Sequence, residues 1–164
     1  MNRKLLQSVR EYKKESILTP ILVIFEVLIE VLIPLLMARI IDVGIANGDM
    51  GYILSIGVVL VIMAMVSLFF GAMAGKMGAI ASSGYAKNLR HDIFYKIQEF
   101  SFKNIDNFST SSLVTRLTTD ITNIQMAYMM TIRMLVRAPI MIVLSLIMTL
   151  TINADIALML LITV

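Results

Sequence analysis

An all-α integral membrane protein, built of long helices that cross the bilayer and continue into the cytoplasm, is the fold class the sequence predicts. Hydrophobic residues make up 59% of the 164 positions and charged residues only 15%, against roughly 25% charged in soluble domains. The apolar residues gather in runs longer than the about 20 residues a helix needs to cross hydrocarbon. Between the second and third runs stands a polar stretch whose apolar residues return at helical spacing, so it is amphipathic helix and not loop.

Residues 1–16 carry Arg3, Lys4, Arg10, Lys13 and Lys14. A signal peptide can begin in this way, but the apolar run that follows continues from Ile17 to Ile41 without a small-x-small cleavage site. That exceeds an h-region of about 7 to 15 residues. We therefore read 1–16 as a cytoplasmic N-terminal segment and 17–43 as the first span. The stretch 44–51, GIANGDMG, is a short turn. A second helix occupies 52–103, spanning the membrane as far as Ser83 and then extending into the cytoplasm. A turn at 104–116 leads to a third helix, 117–152, whose span begins at Met126. Asn153 to Asp155 forms another tight turn, and 156–164 starts a fourth span. Between Tyr52 and Phe102 there is neither proline nor turn cluster. One helix there would run about 75 Å, against about 30 Å of hydrocarbon.

Charge fixes the expected orientation. Five Lys and Arg residues precede the first span, none lies in the turns 44–51 and 153–155, and eight lie from Lys76 to Arg137. The positive-inside rule places the N-terminus and the 82–125 hairpin in the cytoplasm of a multi-pass protein.

Within that hairpin Tyr85, Leu89, Ile93, Ile97 and Phe100 form one apolar stripe, opposite Lys87, Arg90, His91, Lys96, Glu99 and Lys103. Asp92 with Lys96, and Glu99 with Lys103, stand as acid-then-base pairs four apart, the arrangement that supports a solvated helix. The pattern breaks at 104–110, where Ser109 or Thr110 can cap a new helix. A second stripe follows in Leu113, Leu117, Ile121, Ile124 and Tyr128, so two antiparallel helices meet at a compact turn.

Several chemistries are excluded. The net charge of +3 follows the membrane pattern instead of forming one basic face, so nucleic acid is not a partner. There is no cysteine and only one histidine, His91, which sits on a solvated face. GAMAGKM at Gly71 to Met77 falls short of a phosphate loop by one residue and lacks a following Ser or Thr. No hydrolytic triad, metal motif or dinucleotide fingerprint is present, so this stretch by itself is no enzyme and holds no cofactor.

Inside hydrocarbon by length, Glu26 and Glu30 lie four apart on one face of the first span. They form a cation or proton site, join an interhelical ion pair, or are simply neutralised. Arg133 and Arg137 are the candidate partners. Counted from the outer turns, Glu26 and Arg137 reach a similar depth of roughly 22 to 24 Å, whereas Arg133 is placed to snorkel to the cytoplasmic interface. Met126, Met130, Met134, Met141 and Met148 fall in one arc on the face that carries Arg137, either a pliable wall of a substrate pathway or simple packing. Ser67, Gly71, Gly75, Gly78 and Ser82 make a small-residue stripe for close helix approach. Pro34 and Pro139 can kink their helices.

FSFKNIDNFSTSSLVTRLTTDITNIQ resembles the first cytoplasmic loop of ATP-binding-cassette exporters, with a family pattern close to F-D-x-x-x-T-G-x-L-x-x-R-L-x-x-D. Arg116, Leu117 and Asp120 supply its most specific part, and Ser111 stands where many members have glycine. IEVLIPLLMARIIDVGI is similar to the first membrane helix of bacterial multidrug-type members. The resemblance implies the family's transmembrane-domain fold, of which this chain would hold about three and a half of six helices. It implies a coupling element, Ser109, Thr110, Ser111, Ser112, Leu113, Val114 and Thr115, docked on a nucleotide-binding domain that binds ATP and Mg. Arg116 and Asp120 would brace the following helix. The implied partners are the bilayer of the bacterial plasma membrane, that nucleotide-binding domain in the same polypeptide or a separate one, and a second half-transporter, identical or not. The alternative is a small proton-coupled multidrug antiporter using Glu26 and Glu30, in which a cytoplasmic hairpin of this size has no role. A membrane scaffold without transport would leave Glu26, Glu30 and Arg137 without a cavity.

Overall fold

The computed structural model describes residues 8–99 and 114–152. Within them stand three helices long and apolar enough to cross a membrane, and no strand. Helix α1 is Lys13–Arg39, opened by a 3-10 turn, Arg10–Tyr12, and prolonged by a π-helical segment, Ile40–Ile45. Helix α2 is Met50–Gln98, and α3 is Ile121–Ile152, preceded by a second π-helical segment, Arg116–Asp120.

The 49 residues of α2 are one uninterrupted helix, about 73 Å at 1.5 Å per residue and more than twice the hydrocarbon thickness. A helix suits lipid because every backbone polar group between its ends is satisfied within the element. Pro20 and Pro34 lie inside α1 and Pro139 inside α3. Each removes one amide donor, a loss that membrane helices tolerate with help from hydroxyls and neighbours. Just before Pro20, Ser16 Oγ donates to the Tyr12 carbonyl at 2.7 Å and Thr19 Oγ1 to the Glu15 carbonyl at 2.8 Å.

The turn expected over 44–51 is shorter than the composition suggested. Helical geometry persists to Asn47, and the reversal is confined to Gly48 and Asp49. Gly48 takes φ 65°, where glycine alone escapes a steric cost. Asp49 Oδ1 accepts the Tyr52 amide at 3.0 Å and caps the start of α2.

The described residues form two compact units. One combines residues up to Thr19 with Gly75–Arg133. Its core is Val9, Tyr85, Ala86, Leu89 and Ile121, with Ile93, Leu117, Ile124 and Tyr128 packed against it. All but Val9 and Ala86 are members of the two hairpin stripes, so the helical period in the sequence is the one that packs. The Tyr85 and Tyr128 rings stack with centroids 4.5 Å apart, and the Tyr128 hydroxyl donates to Ser16 Oγ at 2.8 Å. Burial, and secondarily Tyr128, pushes the Tyr85 pKa above its ordinary value.

The same unit straps the N-terminal segment onto α2. Ser8 Oγ donates to Asp92 at 2.9 Å, Arg10 Nη2 donates to Asp92 at 2.6 Å, and Asn88 Nδ2 donates to the Ser8 carbonyl at 3.0 Å. Arg10 makes this bend with φ 41°, a costly conformation for a residue with a Cβ. The expected Asp92–Lys96 pair is therefore displaced, and Lys96 turns to Glu99 at 3.3 Å. An exposed pair four apart contributes about 0.3 to 0.5 kcal/mol, less than a carboxylate gains from a cation and a hydroxyl together. Lys103, the expected partner of Glu99, lies outside the described residues.

The other unit combines Pro20–Ala74 with residues from Met134 onward. Val23, Val27 and Ala74 are buried, and Leu22, Val31, Ile140, Met141 and Leu144 pack on them. The Phe25 and Phe70 rings stack at 5.4 Å. Large apolar side chains also point outward, Leu68 at 70% and Leu135 at 72% exposure. Such a surface suits lipid or further protein, not water.

Candidate functional site: a charged triad and a polar hairpin

One helical turn separates Glu26 from Glu30 on α1, which sets both carboxylates on one face. Arg137 of α3 reaches both: Nη1 lies 3.0 Å from Glu26 Oε1 and Nη2 lies 2.7 Å from Glu30 Oε2. The planar guanidinium offers its donors as a fork, so one side chain serves two acceptors without strain. The side chains are 35% exposed for Arg137, 15% for Glu26 and 40% for Glu30. Glu26 Oε2 is buried and has no hydrogen-bond partner among the described residues. One guanidinium against two carboxylates leaves the group with a formal excess of negative charge. Away from water such a group holds together because separating the charges would leave each poorly solvated.

Gly71 makes room for this triad. A Cβ there would lie 2.9 Å from Glu26 Oε1, so the small-residue stripe receives a side chain at this point. At Gly78 a Cβ would meet Thr19 Cγ2 at 3.4 Å and Arg133 Cδ at 3.7 Å, while at Gly75 it would meet open space. Arg133 thus lays its methylenes over Gly78, and it makes no ion pair with any described residue. The methionines of the arc differ in burial. Met126, Met130 and Met134 are exposed, whereas Met141 packs on the Val23, Val27 and Ala74 cluster.

Of the hairpin turn, Ser109, Thr110, Ser111, Ser112 and Leu113 lie outside the described residues. Val114 is 54% exposed, and Thr115, Arg116 and Asp120 are exposed as well. The motif that runs from Arg116 to Asp120 is a π-helical segment, which the sequence reading did not anticipate. Two threonine hydroxyls bond back to the chain here. Thr118 Oγ1 donates to the Val114 carbonyl at 2.8 Å, and Thr122 Oγ1 to the Thr118 carbonyl at 2.9 Å. Hydroxyls that bond back to carbonyls compete with the amides for them and loosen the regular ladder. His91 is exposed, with Nδ1 3.7 Å from Asp92 Oδ1 and its ring 4.4 Å from that of Tyr95. The Ser8, Asn88 and Asp92 knot also escaped the sequence reading, because its partners are 80 or more positions apart.

Comparison with known proteins agrees with this arrangement of apolar spans around a polar hairpin. Residues 16–164 match the model of the ABC transporter transmembrane region. The chain is 33% identical over 162 residues to the uncharacterized ABC transporter ATP-binding protein YfiB of Bacillus subtilis, covering 99% of this chain and 28% of that protein. An uncharacterized ABC transporter ATP-binding protein of Mycobacterium tuberculosis is 30% identical over 158 residues, 96% of this chain and 27% of its own length. A putative ABC transporter ATP-binding protein of Mycoplasma genitalium is 29% identical over 103 residues, 63% of this chain and 16% of its own length. This chain therefore spans between a quarter and a third of the first two relatives' length. With its spans and hairpin matched over residues 16–164, the chain belongs to the ABC transporter transmembrane region family.

Proposed function

We propose that this chain forms the first part of the transmembrane domain of an ATP-driven exporter of amphipathic, multidrug-type substrates, and that it passes the motion of a nucleotide-binding domain to the substrate pathway. The observation that carries the reading is α2, whose 49 residues form one helix too long for the bilayer alone. The relatives are named ATP-binding proteins, which supports a nucleotide-binding domain as partner, fused or separate, where ATP and Mg would bind. The chain itself would hydrolyse nothing.

In this reading the N-terminus and the hairpin face the cytoplasm of a bacterial cell. Ser109 to Thr115 dock on the nucleotide-binding domain, and Arg116 and Asp120 brace the helix that follows. Closure of two such domains on ATP moves the docking turn, and the long helices act as levers that carry the movement into the membrane. A second half-transporter, identical or not, completes the pathway. Glu26, Glu30 and Arg137 fasten α1 to α3 beside that pathway, with Arg133, Met130, Met134 and Met141 along the same helix. A proton-coupled antiporter is disfavoured by family membership and by the engagement of both glutamates with one arginine.

The test is Val114→Asp in the complete transporter. A charge forced into an apolar docking contact costs several kcal/mol. ATP hydrolysis is expected to persist while transport falls by about tenfold or more. Transport that continues unchanged and follows the proton gradient would overturn the reading.

A further inference from the structure

Arg39 ends α1, stands exposed, and makes no ion pair with any described residue. Asp42 lies within the usual helical reach of three positions. The segment from Ile40 to Ile45 is π-helical, however, and no ion pair joins Asp42 to Arg39. Beside Arg39 opens a cavity of about 220 Å³ lined by Leu32, Leu35, Leu36, Arg39 and Met63. The arginine is its one charged wall. It stands four positions before the outer end of the first span at Val43, about 6 Å along the helix, a depth from which a long basic side chain reaches the headgroup layer.

We propose that this cavity holds an acyl chain of one phospholipid whose phosphate is gripped by Arg39. The complement of a lone guanidinium at the edge of an apolar groove is an amphiphile of opposite charge. In a membrane the amphiphile at hand is phospholipid. The forked donors match two phosphate oxygens. An apolar helix laid in the same groove would fill it but leave the cation unpaired. Phosphatidylglycerol fits better than phosphatidylcholine, whose own ammonium competes for the phosphate. The proposal concerns the end of the span remote from the hairpin and does not depend on the exporter reading.

The complete transporter, stripped of lipid and titrated with phosphatidylglycerol or phosphatidylcholine, is read by native mass spectrometry. One saturable phosphatidylglycerol per copy of this chain is expected, with weaker retention of phosphatidylcholine. Arg39→Gln should weaken retention about tenfold, the size of one lost charge-assisted contact. Arg39→Lys should fall between, and Leu36→Trp should displace the lipid while the charge stays. Wild-type retention by both Arg39→Gln and Leu36→Trp would overturn the proposal, as would equal retention of the two lipids or no saturable site at all. Size-exclusion chromatography of the same variants reports assembly independently. Should Leu36→Trp fail to assemble, the contrast between Arg39→Gln and Arg39→Lys still decides.

Discussion

Removing the Arg137 guanidinium would leave the Glu26 and Glu30 carboxylates facing one another without the cation that now joins them. Arg137→Gln in the complete transporter should therefore lower stability by about 2 kcal/mol, below the full cost of breaking a buried pair because the site is partly open. Adding Glu26→Gln should recover part of the loss, since it removes a charge that no longer has a partner. Thermal unfolding of the single and double variants checks both statements. Backbone packing gives a second contrast. A Cβ at Gly84 would fall on the Tyr12 ring, whereas one at Gly75 meets nothing. Gly84→Ala should cost about 1 to 3 kcal/mol, and Gly75→Ala should be neutral or gain up to about 1 kcal/mol. Tyr85 adds a pH dependence. Its pKa is raised by burial, so the native state holds that proton more tightly than the unfolded chain. The resulting stability is whole below the ordinary tyrosine value of 10.0 and is lost as pH rises through the higher native value. Alkaline unfolding curves should show this loss, and Tyr85→Phe should remove it.

The hairpin helices were legible in the sequence because their apolar residues had to return at helical spacing to be buried at all. Leu89, Ile121 and Tyr128 appear in the core for that reason. Depth counting likewise set Glu26 and Arg137 at one level, since rise per residue is nearly constant in a helix. The π-helical segments were not legible, because a widened turn changes the hydrogen-bonding register without leaving a periodic trace in the residues. Nor was the displacement of Lys96 from Asp92, because a local pair can be outcompeted by a partner 82 positions away. Asp92→Asn loses the Arg10 ion pair and should release the N-terminal segment, at about 1 to 2 kcal/mol. Limited proteolysis should then cut faster at Lys13 and Lys14.

The described residues carry an apolar exterior, with Leu68, Phe69 and Leu135 among their most exposed side chains. Burying such residues in lipid or against further transmembrane protein accounts for a composition that water would not tolerate. Among the described residues of the hairpin, by contrast, Lys87, Arg90, His91 and Lys96 are exposed while Tyr85, Leu89 and Ile121 are buried, the pattern of a solvated element. The account rests on one helix serving both environments without a break. This stretch has no native cysteine, so single cysteines placed along α2 in the complete transporter can be probed with a membrane-impermeant thiol reagent. Positions from Leu54 to Phe70 should resist labelling. Lys87, Arg90 and His91 should label from the side that carries the N-terminus. Protection of Lys87, Arg90 and His91 to the same degree as Leu54 to Phe70 would contradict it.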